Sequence, residues 1–548
     1  MNFAKKYINN YPLVALAALA SVISILSFLW SSSNGYSLAY NDAMSHLNIP
    51  RMVVDGMEPG ITQLGSIWLP LNHFLSLAFI WNNWAWHTGF AGIIFSIASY
   101  VLSVIGIFKI IELLTKNRLA AFVGGLIFTF NLNIIYLQTT PLTEPLFLLL
   151  FVYSVFYFLK YIHTDKTKYL IILGSLGFLQ VLARYDGWFV FIAEALLIAY
   201  YEYIYRKRSF DETTGKVLLF ATPVVFGAAL WFLWNWLIYG NPLFFLLSQY
   251  SAKAQQDLIT LKSGLATKGN LGLSSLTFWY DMLANVGTYI GAAAVLGIIS
   301  DLFNKKDITK KMLLLFILIS PILFNILALY LGFSIIKLPI ISSILKDFVS
   351  RPWFNVRYGI VALPLVAVYG GLFVNSFPKD KIAVVALILY LIFFQSFIFW
   401  KKEGVITLID GTKGASAFLN EDTSRFLKDS VKENEKVLLS MSAFNPVAFK
   451  SGLDLNHFIH EGVSKQWNFA LEKPEEYATW IVMKKNDSSD PVYRSLVEKE
   501  NKGFLNSYSL AFTGQESLIY KKGEALQGFQ TEAGLATGLM SFKGVLSQ

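Results

Sequence analysis

The chain has 548 residues, 55% of them hydrophobic and 15% charged, with a mean hydropathy of +0.51. Soluble proteins carry about 25% charged residues, so this composition excludes an ordinary soluble domain and places the chain in a lipid bilayer. It has no cysteine, which excludes disulfides and thiolate metal sites, and its net charge of +9 is uneven: 27 Lys and Arg stand against 17 Asp and Glu up to Trp400, but 18 against 19 after it. The surplus lies in short breaks between apolar runs, so it reads as membrane orientation and not as a nucleic-acid surface.

A membrane-crossing helix needs about 20 apolar residues, and that template predicts about eleven spans. In chain order they are 12–30, 89–114, 119–136, 145–161, 169–183, 187–205, 217–239, 284–303, 312–332, 358–375 and 382–400. The first follows Lys5 and Lys6 and lacks a small-residue cleavage site, so it is expected to be a retained signal-anchor. The run 67–81 is short and interrupted by Pro70 and Asn72, and is expected to be interfacial or half-inserted. If the N-terminus is cytoplasmic, the inward breaks hold Lys116 and Arg118, Lys166 and Lys168, Arg206 to Arg208 with Lys216, Lys305, Lys306, Lys310 and Lys311, and Lys379 with Lys381. Inward loops are then short and basic, as the positive-inside rule requires, and an odd number of spans puts everything after Trp400 outside. The expectation is a multi-pass protein of the plasma membrane.

From Lys401 the composition becomes that of a soluble domain. Helical patterns at 423–431 and 491–500 alternate with β-rich runs at 436–441, 478–483, 507–512 and 517–520, which predicts a small extracytoplasmic α/β domain over 401–522. The Gly-rich stretch 523–548 is expected to be a flexible tail. The predicted organisation is therefore a transmembrane domain over 1–400, whose first outer loop covers 31–88, followed by the accessory domain and the tail.

That first loop contains the densest polar stretch before the tail domain, 40–73, YNDAMSHLNIPRMVVDGMEPGITQLGSIWLPLNH. Asp42 and His46 are four residues apart and share a helix face, so they can share a ligand or a hydrogen bond. Pro50 is expected to break or restart the helix, giving two short amphipathic pieces along a membrane surface. Three more segments open on the same side: 138–145 (QTTPLTEP) with Glu144, the long loop 241–285 with Lys253, Lys262 and Lys268, and 335–357, which ends RPWFNVRY with Arg351 and Arg357. Arg184 and Asp186 can pair at the outer end of a span. Glu194 falls in mid-span, where an unpaired charge is expensive.

With those residues in view, the chain resembles the GT-C superfamily, the multi-span glycosyltransferases that use polyprenyl-phosphate sugars, and within it the relatives of protein O-mannosyltransferases and aminoarabinose transferases. The resemblance is carried by Asp42 in YNDAMSHLNIPR, by Thr143-Glu144-Pro145, by WNWLIYGNPLFF at 234–245 and by the Arg357-Tyr358 of NVRYGIVALP. It implies a polytopic α-helical GT-C fold and an inverting transfer of a sugar, a hexose such as mannose, to an acceptor hydroxyl outside the membrane. Asp42 would be the base, helped by His46 and Glu144. Arg357, Tyr358, Arg351 and Arg184 would meet the donor phosphate, and Gln63, Trp68 and His73 would position substrate, Trp68 by stacking on the sugar. The partners implied are the polyprenyl-phosphate sugar, the bilayer and a protein, lipid or polysaccharide acceptor of the cell envelope. Mannosyltransferases commonly carry an acidic pair where Asn41-Asp42 stands here, so acceptor type and a divalent cation stay open, and no metal ligand set is assigned. Asp42 as a helix cap is the bland alternative. The rival classes are a transporter or flippase of a lipid-linked saccharide, to which Glu194 would belong, and a membrane scaffold.

Overall fold

Apolar runs in hydrocarbon can satisfy their backbone polar groups only internally, so they become helices. A computed structural model describes residues 11–523 except 66, 250, 252, 255, 258–264, 304–306, 346–351, 378, 415–419 and 463–465. Arg351, Lys262, Lys5, Lys6, Lys305, Lys306 and the tail from 524 lie outside the described residues. Eight described helices are long and apolar enough to cross a membrane: Tyr11–Ser33, Phe90–Thr115, Glu144–Thr164, Asp186–Tyr205, Phe210–Tyr239, Ile308–Leu331, Val356–Asn375 and Ile382–Lys413. A ninth is the pair Leu271–Val286 and Thr288–Phe303, bent by 105°. The expected spans 119–136 and 169–183 fall on shorter apolar helices, Arg118–Thr129 and Lys168–Ala183. The chain is thus a multi-pass, mostly helical membrane protein.

Local sequence sets the helix ends. Asn117 Oδ1 accepts from the Leu119 and Ala120 amides at 3.1 and 3.2 Å and starts Arg118–Thr129. The 105° bend sits at Gly287, whose φ of +87° and closeness to the Gln395 side chain, 2.5 Å from a Cβ placed there, leave room only for glycine.

Lipid offers helices no hydrophobic drive to associate, so close packing must hold them. Gly124 and Gly371 face one another, each with a carbonyl of the opposite helix within 2.9 Å of where its Cβ would be. Ser24 donates to Gln138 Oε1 at 2.6 Å and ties the first span to the segment before Glu144.

Pro50 corrects one expectation: helix Asn41–Asp55 runs through it unbroken. Neighbouring groups hold the helix. Arg51 Nη1 donates to the carbonyls of Ile80 and Trp81 at 3.0 and 3.2 Å, and Trp86 Nε1 donates to Asn48 Oδ1 at 3.1 Å. Nor is the segment an amphipathic surface piece, because Ala43 to Asn48 are all buried.

The chain divides into two compact units: Met1–Val54 with Gly60–Phe418, and Asp55–Pro59 with Leu419–Gln548. Helix Ile406–Lys413, beyond the expected boundary at 401, belongs to the first. In the second, a five-stranded sheet contains β1 (Val437–Leu438), β2 (Phe458–Ile459), β3 (Trp480–Lys484), β4 (Tyr508–Thr513) and β5 (Ser517–Lys522), in the order β2-β1-β3-β5-β4. β1 pairs in parallel with β2 and β3, and β5 runs antiparallel to β3 and β4, with Val482 opposite Ile519. Leu438, Ile459, Ile481 and Met483 form its core, with Met57 packed against it.

Candidate active site

Asp42 occupies the first turn of helix Asn41–Asp55, where the helix dipole favours a carboxylate. Its Oδ2 accepts from Nη2 of Arg357, which the short helix Val356–Ala362 presents. Arg357 Nε donates to Glu144 Oε1 at 3.0 Å. The same oxygen accepts from Arg184 Nη1 at 2.9 Å, and that nitrogen also reaches Thr143 Oγ1 at 3.0 Å. Arg184 Nε donates to Asp186 Oδ2 at 3.0 Å, and Asn325 Nδ2 closes the chain onto Asp186 Oδ1 at 3.2 Å. The side chains of Glu144 and Arg357 are 3% and 4% exposed, whereas Asp42 is 37% exposed, so Asp42 is the member that a solvent-borne group can reach.

Aromatic rings frame the two guanidiniums. Arg357 lies 4.9 Å from the Tyr40 ring centroid and 5.3 Å from that of Tyr358, and Arg184 lies 5.3 Å from Tyr358. Tyr40 is fixed at its other end, its hydroxyl donating to the Thr407 carbonyl at 2.6 Å. Burial and then the neighbouring Asp410 push the Tyr40 phenol well above its usual range, so it stays a protonated donor. Two buried polar atoms of the cluster have no hydrogen-bond partner: Nη1 of Arg357 and Oε2 of Glu144. The first is a charged donor that an acceptor oxygen could meet, and the second an acceptor that only a donor such as a hydroxyl could meet.

One helical turn from Asp42, His46 Nδ1 lies 2.8 Å from His73 Nε2, and the His46 ring packs against Trp68, tilted by 35° with centroids 4.5 Å apart. Burial brings His46 down to about 4, against the opposite pull of Asp42 and Glu144. Burial, and then His46, also holds His73 well below its ordinary value. Both imidazoles are then neutral at pH 7, each with one N–H, and one of the two facing nitrogens donates to the other. The turn carrying Trp68 is itself held from three sides: Trp234 and Tyr239 reach the Gly65 carbonyl at 3.4 Å each, and Tyr185 reaches that of Ile67 at 2.8 Å. This is where the WNWLIYGNPLFF run meets the first loop.

The structure thus brings together Asp42, Glu144, Arg184, Arg357 and Tyr358, with His46, His73 and Trp68 beside them. Gln63 ends the short helix Ile61–Gln63 and is half-buried. Lys253 and Lys268 of the long loop pair with Asp257 at 2.8 and 3.2 Å. Glu194 is fully buried and accepts a hydrogen bond from Ser154. Tyr40 and Asn325 join the cluster without having been given a role from the sequence, and Thr143 was quoted only as part of Thr143-Glu144-Pro145. Of these, Asn325 carried a usable signal, a lone amide inside an apolar span. Among the described residues no group of three or more carboxylate or imidazole side chains could hold a metal ion; Asp42 is engaged by Arg357 and His46 by His73.

No known sequence family matches the chain, and no curated protein matches it by sequence. By structure it is similar to ArnT from Cupriavidus metallidurans bound to undecaprenyl phosphate, at 12% identity and a TM-score of 0.54, over 93% of this chain and 98% of that one. ArnT in the apo state matches at 12% identity and a TM-score of 0.50, over 94% and 98%. The Archaeoglobus fulgidus oligosaccharyltransferase tethered with an acceptor peptide containing the NVT sequon matches at 12% and 0.50, over 95% of this chain and 75% of that one. At such identities the likeness is one of fold alone: the chain shares the polytopic helical fold of these proteins, with a small C-terminal sheet, as its spans predict.

Proposed function

We propose that this protein is a GT-C-type glycosyltransferase that moves a sugar from a polyprenyl-phosphate donor to an acceptor hydroxyl on the outer face of the membrane. The observation that supports this reading best is a half-exposed carboxylate, Asp42, set against a buried guanidinium, Arg357, that keeps one nitrogen unpartnered. Sugar transfer from a lipid phosphate requires a base for the incoming hydroxyl and positive charge for the leaving group, side by side. The acceptor oxygen attacks the anomeric carbon, its proton passes to Asp42, and the bond from that carbon to the phosphate oxygen breaks with inversion. The bonding electrons leave on the lipid phosphate, whose charge Arg357 stabilises through charge-assisted hydrogen bonds, with Arg184 behind it.

Glu144 and His46 act here as positioning residues, Glu144 by holding both guanidiniums and His46 as a neutral wall against Asp42. Trp68 offers the ring face on which the sugar stacks, with His46 against it, His73 behind His46 and Gln63 at the approach. The sugar is proposed to be a hexose, with mannose as the leading candidate. The donor lipid is proposed to be of the undecaprenyl or dolichyl class, the former being what the similar ArnT binds. The N-terminus is proposed to be cytoplasmic and the second unit to lie outside, where it holds the acceptor.

The test is release of free prenyl phosphate by the purified protein in detergent from a panel of polyprenyl-phosphate sugars. Turnover with one donor is expected. No turnover with any donor, together with facilitated movement of a lipid-linked saccharide in liposomes, would replace this reading with the transporter.

A further inference from the structure

The cluster contains an internal competition. Arg357 has five N–H bonds, of which Nε–H is committed to Glu144 and one on Nη2 to Asp42. Nη1 is buried and unpartnered. Glu144 is in turn held by Arg184, and Arg184 by Asp186, so the guanidinium is anchored from its Nε edge. The opposite edge, Nη1 with Nη2, is the fork that a phosphate takes in bidentate fashion, and its Nη2 already donates to Asp42. Two guanidiniums, moreover, face three carboxylates, Asp42, Glu144 and Asp186. An anion that enters this edge meets the Asp42 carboxylate as a like charge at short range. Glu144 and Asp186 are buried and bound on a second side, whereas Asp42 is the half-exposed member and the one free to yield.

We infer that the lipid phosphate and Asp42 compete for the same edge of Arg357, so that seating the donor releases Asp42 as the base. This rests on the glycosyltransferase reading above and adds an order of events to it. Without donor, Asp42 Oδ2 is tied to Arg357. With donor, the phosphate takes the Nη1 and Nη2 donors, and Asp42 Oδ2 is freed to meet the acceptor hydroxyl. The arrangement disfavours activation of water in the empty site.

The test is the equilibrium binding of undecaprenyl phosphate to the purified full-length protein, for wild type, Asp42→Asn, Arg357→Gln and the double variant, with dolichyl phosphate in parallel. Removing the competitor should tighten binding about tenfold in Asp42→Asn, a coupling of ordinary size for groups in contact. Arg357→Gln should weaken binding, and in its background Asp42→Asn should give no gain. Asp42→Ser serves as a second removal of the charge if the asparagine variant fails to fold. Unchanged or weaker binding in both Asp42 variants would overturn the competition while leaving the glycosyltransferase reading in place. Wild type that binds neither lipid phosphate would overturn both.

Discussion

Glu144 is the joint of the cluster, and Glu144→Gln is the perturbation whose size the geometry specifies best. One carboxylate oxygen accepts from Arg357 at 3.0 Å and Arg184 at 2.9 Å, in a side chain 3% exposed. Glutamine keeps the shape and one acceptor, so both bonds keep a charged donor and lose the charge on the acceptor, at a cost of about 1–1.5 kcal/mol each. Breaking a buried pair outright costs about 3–5 kcal/mol, but each arginine here retains a second carboxylate, Asp42 or Asp186. The expected loss is therefore about 2–3 kcal/mol. The assay is reversible unfolding in mixed micelles, run as a double-mutant cycle with Arg184→Gln. The coupling energy should be about 1–3 kcal/mol; additivity within about 0.5 kcal/mol would refute the shared-carboxylate geometry.

Other outcomes follow from neighbouring groups. His46 has its folded value near 4 against an ordinary 6.5, so the unfolded chain binds the proton first. Its contribution is full above about pH 6.5 and drains as pH falls towards 4, by about 3 kcal/mol in all, and His46→Gln should flatten that slope in pH-dependent unfolding. Tyr40→Phe keeps the ring over Arg357 but loses the bond to the Thr407 carbonyl, and should lower stability by about 1 kcal/mol without weakening binding of the lipid phosphate; Tyr40→Leu should weaken both. Gly287→Val puts a branched side chain at φ +87° against Gln395 and should destabilise by 2 kcal/mol or more, about the scale of a strained backbone; a neutral thermal shift would contradict the bent pair.

Hydropathy made the membrane helices legible, because a span is defined by a continuous apolar run whatever its neighbours. The bend at Gly287 was not, since the run 284–303 reads through it, and only the meeting with Gln395, more than 100 residues on, turns the chain there. Asp42, Glu144, Arg184 and Arg357 stood out as rare charges at the ends of apolar runs on one expected side of the membrane. That Arg357 would bind both Asp42 and Glu144 had no local signal, since 315 and 213 residues separate them. Tyr40 was hidden among 27 tyrosines of an aromatic-rich chain. Pro50 misled because the propensity rule ignores tertiary partners, and Arg51, Asn48 and Trp86 outweigh it.

The most direct test is single-turnover transfer from an accepted polyprenyl-phosphate sugar, wild type beside Asp42→Asn, with donor binding measured on the same samples. If Asp42 is the base, the rate should fall about 10²- to 10⁴-fold while the donor still binds. Transfer at the wild-type rate by a correctly folded Asp42→Asn protein would contradict it.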